Sequence, residues 1–224
     1  MSGVWQETLA RLVDTSAPAL PALWLSQLWL QLGWGVVLAC LGVAWVRGWS
    51  RHSGARYGVA AVVLLWTILP GAFSPAYWLG LAFQAPSLAG GVLAGGYLLQ
   101  MLRGARKQHW HTAPRAFPWM AWALVLLGWA LLFDTLALLP LELYRWGFSP
   151  MAAGAFLLLL LLPWLFRAGA VPQDQWTWAA LLAVAGCVLL RLPSGNLWDA
   201  VLDPWLWVAA HVVMVRAVWS RVRT

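Results

Sequence analysis

The feature that most limits what this chain can become is the bunching of its few charges between long, uninterrupted apolar runs. Charged residues make up 9% of the chain and hydrophobic residues 62%, with a mean hydropathy of +0.74. A soluble domain carries roughly a quarter of its residues as charges and spreads them over its whole surface. This chain does neither, and its pattern suits helices surrounded by hydrocarbon. The runs are also too long, and too little alternating, for the roughly ten-residue strands of a membrane barrel. The expected fold class is therefore an all-α membrane protein, a polytopic bundle of about seven transmembrane helices. An N-terminal amphipathic segment over 1–20 is expected to precede a single helical domain over 21–224.

Proline and glycine set the expected limits of each span. They run from Pro21 to Val46, from Tyr57 to Phe73 with a bend or stop around Pro70-Gly71 and Pro75, and from Pro86 to Leu102. The next run from Pro118 to Leu139, Pro150 to Phe166, Trp176 to Leu190 and Pro204 to Trp219. Between the second and third, Ala76 to Gln84 is expected to lie along the interface. Those two spans are about 17 residues each, the lower limit for crossing a ~30 Å hydrocarbon layer at ~1.5 Å per residue. Near the start, Val4, Trp5, Leu9 and Leu12 share one side of a short helix. The absence of a basic stretch there, with Glu7 and Asp14 flanking Arg11, does not resemble a cleavable signal peptide.

Orientation follows from the basic residues, which give a net charge of +7. They gather after span one (Arg47, Arg51, Arg56), after span three (Arg103, Arg106, Lys107, Arg115) and at the C-terminus (Arg216, Arg221, Arg223). With seven spans these three places share one side, and the positive-inside rule makes that side cytoplasmic. The N-terminus is then outside and the C-terminus inside. The expected partners of these loops are membrane lipids, through their anionic headgroups, and no nucleic acid is expected. Many of the 20 Trp residues lie near the ends of apolar runs, where an amphipathic indole favours the headgroup region. The Ala, Leu and Trp bias and the compact loops point to a multi-pass protein of a bacterial inner membrane. Gly91 and Gly95 give span three one face without side chains. That face is expected to pack within the chain, with a protein partner or a homodimer contact as the alternative.

Ionisable groups inside a span are costly, so each is informative. Asp134 lies about 24 Å along its span from Pro118, in the outer quarter. It reads either as a bonded structural carboxylate or as a group that meets a proton or a solute. His211, near the middle of the last span, reads either as a neutral imidazole held by a carbonyl or as a relay. Asp203-Pro204 has the form of a helix start, with Asp as N-cap and Pro in the first turn. Asp199, Arg191, Glu142 and Arg145 complete a group of charged residues on the outer side, and Glu142 and Arg145 are close enough in sequence to pair. Gln27 and Gln31 share a face of span one. The His109-x-His111 pair lacks a third ligand nearby and reads as part of a lipid-facing basic loop. Cys40 and Cys187 read as small packing residues.

Several chemistries are excluded by what they require. A retinal Schiff base needs a lysine in the last helix, and Lys107 is the only lysine. A bis-histidine haem needs paired histidines within the spans, where His211 stands alone. Trp198-Asp199 and Trp205-Leu206-Trp207 do not make a haem-handling segment, because the flanking histidines are absent. Ser149 and Ser194 fall in turns rather than in the Gly-x-Ser-Gly setting of an intramembrane serine protease, and no phosphate-binding loop is present. No cofactor is expected. The expected function is a small transporter or the membrane subunit of a larger complex. An intramembrane enzyme acting on lipid or lipid-linked substrates at the outer leaflet, or a structural assembly factor, are the alternatives.

Overall fold

The computed structural model describes residues 20–50, 52–103, 119–166 and 175–222. Among them the chain is all-α, with ten helices, one 3-10 turn and no strand. The helices are α1 (Leu23–Trp49), α2 (Ser53–Thr67), α3 (Pro75–Phe83), α4 (Leu88–Leu102), α5 (Trp119–Thr135), α6 (Leu143–Trp146), α7 (Pro150–Phe166), α8 (Gln175–Leu190), α9 (Leu197–Val201) and α10 (Pro204–Val222). The 3-10 turn, Gly71–Phe73, joins α2 to α3. The expected N-terminal helix lies outside the described residues.

Each expected apolar run is a helix, and two stop earlier than their hydropathy suggests. In α2 the Thr67 hydroxyl donates back to the Leu64 carbonyl, and Pro70 follows. α5 ends at Thr135 rather than Leu139, because Ala137 takes a positive φ of 55°. There the Leu138 N–H reaches the Phe133 carbonyl at 2.8 Å and the Ala137 N–H reaches that of Asp134 at 2.9 Å, the paired bonds that close a helix end. By length, the expected count of seven spans is not confirmed. Among the described residues α1 alone is long and apolar enough to cross a membrane, while the apolar parts of α4, α5, α7 and α8 run 10–17 residues.

α1 is the spine of the first half: α2, α3 and α4 all pack against it. α4 also meets α8, which carries α7 and α9, and α5 pairs with α10. Side-chain size is distributed in an unusual way. Ala39, Ala60, Ala89, Ala179, Ala180, Ala183 and Ala210 are among the most buried residues, while Leu41, Leu65, Leu126, Leu158, Leu189 and Trp219 are exposed. Helices whose contact faces carry small residues approach closely. A Cβ on Gly91 would stand 2.7 Å from the Trp29 ring and one on Gly95 would stand 3.6 Å from Val36, so α1 of the same chain covers this face. The Trp29 indole is fixed in turn by donating to the Pro86 carbonyl at 2.9 Å. At the other end of α4, the Arg56 guanidinium donates to the Met101 carbonyl at 2.8 Å, which brings the start of α2 beside the end of α4.

Candidate functional site

Polar side chains collect where α4, α9 and α10 begin and α5 and α8 end. Asp203 precedes Pro204, and its Oδ1 accepts the Leu206 N–H at 2.7 Å, which makes it the expected N-cap of α10. Its other oxygen reaches across the bundle. Oδ2 accepts the Ser87 N–H at 2.8 Å and the Ser87 hydroxyl at 2.6 Å, while Ser87 Oγ accepts the Gly90 N–H at 2.9 Å. One carboxylate thus faces the first turns of two long helices, both of which carry partial positive charge there. Gly90 permits the approach, since a Cβ on it would lie 2.7 Å from Asp203 Oδ2.

Asp199 anchors a second, adjoining network. Its Oδ2 accepts the Tyr144 hydroxyl at 2.8 Å and also accepts the Ser194 hydroxyl. Asn196, fully buried, caps α9 by accepting the Trp198 N–H at 2.9 Å and donates to the Tyr144 carbonyl at 2.9 Å. The Trp198 indole donates to the Leu143 carbonyl at 2.7 Å, and the Leu197 N–H donates to that of Gly147 at 2.9 Å. These bonds strap α6 onto the α8–α9 turn. Burial, then the Asp199 charge and the bond to it, push the Tyr144 phenol well above its ordinary value.

The remaining candidates are dispersed. Asp134 accepts the Tyr144 N–H at 2.8 Å, so it supports the start of α6 from the end of α5. Glu142 and Arg145 pair at 2.7 Å on an exposed turn, as their spacing predicts. Arg191 is exposed and takes a φ of 59°, ending α8 with its N–H on the Cys187 carbonyl. His211 Nδ1 lies 2.9 Å from the Trp207 carbonyl, with its ring 4.9 Å from that of Trp207 and 6.4 Å from that of Trp129. It sits roughly 12 Å along α10 from Asp203. His109 and His111 lie outside the described residues. Among those described, no three His, Cys, Asp or Glu side chains come together as a metal site.

A cavity of about 210 Å³ opens beside the two networks, lined by Phe83, Gln84, Ser194, Asp199 and Asp203 among others. The Trp205 ring packs edge-on against Phe83 at 5.2 Å. Of the seven sequence candidates, Asp199 and Asp203 line this cavity; Asp134, Glu142, Arg145, Arg191 and His211 do not. Ser87, Tyr144 and Asn196 were not anticipated. Ser87 and Asn196 each precede an apolar helical run, which is a readable capping signal. Tyr144 carries no such signal, since its partner is 55 residues away.

Chemically, the site holds negative charge beside helix starts, with hydroxyl donors and an aromatic wall. Ser194 and Tyr144 both donate to Asp199 Oδ2, so two hydroxyls share one carboxylate oxygen. No protein-family model, curated protein or solved structure matches this chain. Among the described residues, fold and site together define an all-helical bundle with a cluster of polar groups where several of its helices begin and end.

Proposed function

We propose that the chain is a multi-pass protein of a bacterial inner membrane, acting as a small transporter or as the membrane subunit of a larger complex. The observation that carries this reading is the exterior: leucine, valine and tryptophan side chains such as Leu41, Leu65, Val62, Leu126, Leu158, Leu189 and Trp219 face outward, while alanine and glycine occupy many of the helix contacts beside buried leucine and valine. In water such an exterior drives aggregation, whereas in hydrocarbon it has no cost and small contact residues hold the helices together. The seven apolar helices α1, α2, α4, α5, α7, α8 and α10 are the proposed spans, with the N-terminus outside and the C-terminus cytoplasmic.

Within that reading, the cavity beside Asp199 and Asp203 is the place for a solute to enter from the outer side, and the basic loops rest on anionic lipid. The enzyme alternative takes some support from two carboxylates sharing one cavity, but Asp134 and His211 stand apart from them. Two measurements test the proposal. Alkaline extraction of membranes from expressing cells should leave the chain in the pellet, and its release into the supernatant would falsify the membrane assignment. Purification in mild detergent then separates the two roles, since a stoichiometric companion supports the subunit and a lone monodisperse chain supports the transporter.

A further inference from the structure

Two polar rims bound the apolar exterior, and their spacing is short. One rim is basic: Arg56 bonded to the Met101 carbonyl, with Arg103 at the end of α4 and Arg216 near the end of α10. The other is the capping network of Ser87, Asp203, Asp199 and Tyr144. Two helices measure the gap independently. Ser87 to Met101 along α4 is roughly 21 Å, and Asp203 to Arg216 along α10 is roughly 20 Å. Exposed indoles repeat the measure: Trp205 (52% exposed) and Trp219 (60% exposed) stand roughly 21 Å apart on α10.

The position of α3 agrees with these lengths. It packs against α1 at the level of the capping rim, with Gly80 against Leu30 and the Phe83 ring 6.4 Å from Trp34. It turns Tyr77 and Trp78 outward. A short helix at that level with aromatic side chains exposed fits a headgroup boundary. α1 is the exception, with 27 residues. Its first turns, from Leu23 to Trp29, pass the capping rim by roughly 9 Å and present the exposed Trp24, an amphipathic ring suited to the headgroup region.

From this geometry we propose that the outer surface of the bundle is shaped for a hydrocarbon layer of about 20 Å, against the ~30 Å of an ordinary bilayer. Tilt of the helices only lowers that height. The lipid that fits is one of short acyl chain, and around longer lipid the bilayer is drawn thin at the protein. A thinned layer also shortens the path from the capping-rim cavity to the opposite aqueous side. The inference rests on the membrane reading, and its test tells the two apart.

The intact protein is reconstituted with phosphatidylcholines of increasing chain length, each competing against a brominated counterpart that quenches its tryptophans. Relative affinity should peak at chains of about 14 carbons or shorter and fall at least about twofold by about 22 carbons. A maximum at about 18 carbons or beyond, or no dependence on chain length, overturns the thin collar and leaves the membrane assignment standing. Absence of quenching by any brominated lipid overturns both.

Discussion

At Asp203 one carboxylate closes two helices, so its removal exposes more than a single cap. Asp203→Ala leaves the Leu206 N–H, the Ser87 N–H and the Ser87 hydroxyl without acceptors. A lost cap costs about 1 kcal/mol and an orphaned buried donor about 1–3 kcal/mol, so a loss of about 2–4 kcal/mol is expected. Asp134→Asn, which touches one backbone N–H, should cost no more than about 1 kcal/mol. Unfolding in detergent followed by circular dichroism ranks the two, and equal effects would refute the double cap. Tyr144 gives a pH signature. Its folded-state pKa is raised, so the unfolded chain loses the phenolic proton first, near pH ~10. Its contribution is therefore whole below that value and is lost as pH rises from it toward the folded pKa. Tyr144→Phe should be less stable near neutrality by about 1 kcal/mol but show a flatter fall in stability above pH ~10. A fall as steep as that of the native chain would remove Tyr144 as its cause.

Between helices, contact depends on absent side chains. Gly91 lies under the Trp29 ring, which cannot swing away because its indole N–H is held by Pro86. Gly91→Leu should lower stability by about 1–3 kcal/mol, whereas Gly96→Leu, at a site with nothing within 4 Å of its would-be Cβ, should be neutral or slightly stabilising. The thermal midpoints of the two variants decide this, and similar midpoints would show that the α1–α4 contact is not close-packed. Helix positions were legible in the sequence because prolines at 21, 86, 118, 150 and 204 precede apolar runs, and proline opens helices but does not continue them. The Asp203 cap and the Glu142–Arg145 pair were legible for the same local reason. The end of α2 was legible to within three residues from Pro70, but the early end of α5 was not, since apolar residues run on past Thr135 and only a backbone turn stops the helix. Nor were the bonds of Asp203 to Ser87 and Asp199 to Tyr144, which exist because distant turns meet in space. Asp134 and His211 stood out for their cost in hydrocarbon, yet each is held by a single main-chain neighbour away from the cavity.

For the molecule as a whole, sidedness is the sharpest expectation. Cys40 and Cys187 are buried, so a thiol reagent meets little background. Gly48→Cys, at the exposed end of α1, and Leu141→Cys, in the exposed turn after α5, should react with a membrane-impermeant maleimide from opposite faces. In intact cells stripped of their outer envelope, the residue-141 variant should label and the residue-48 variant should label only after permeabilisation. The reverse pattern would invert the topology, and labelling of both from one side would remove an odd span count between them.

The bond between Ser87 and Asp203 joins residues separated by 116 positions. Synthesis therefore delivers α4 long before α10, and for that interval the Ser87 amide has no acceptor from its eventual partner. The Ser87–Asp203 half of the capping rim cannot close until that point in synthesis. A chain lacking α10 would keep the contact faces of α1, α2 and α4 but lack the Asp203 acceptor for Ser87, which leaves an open polar edge.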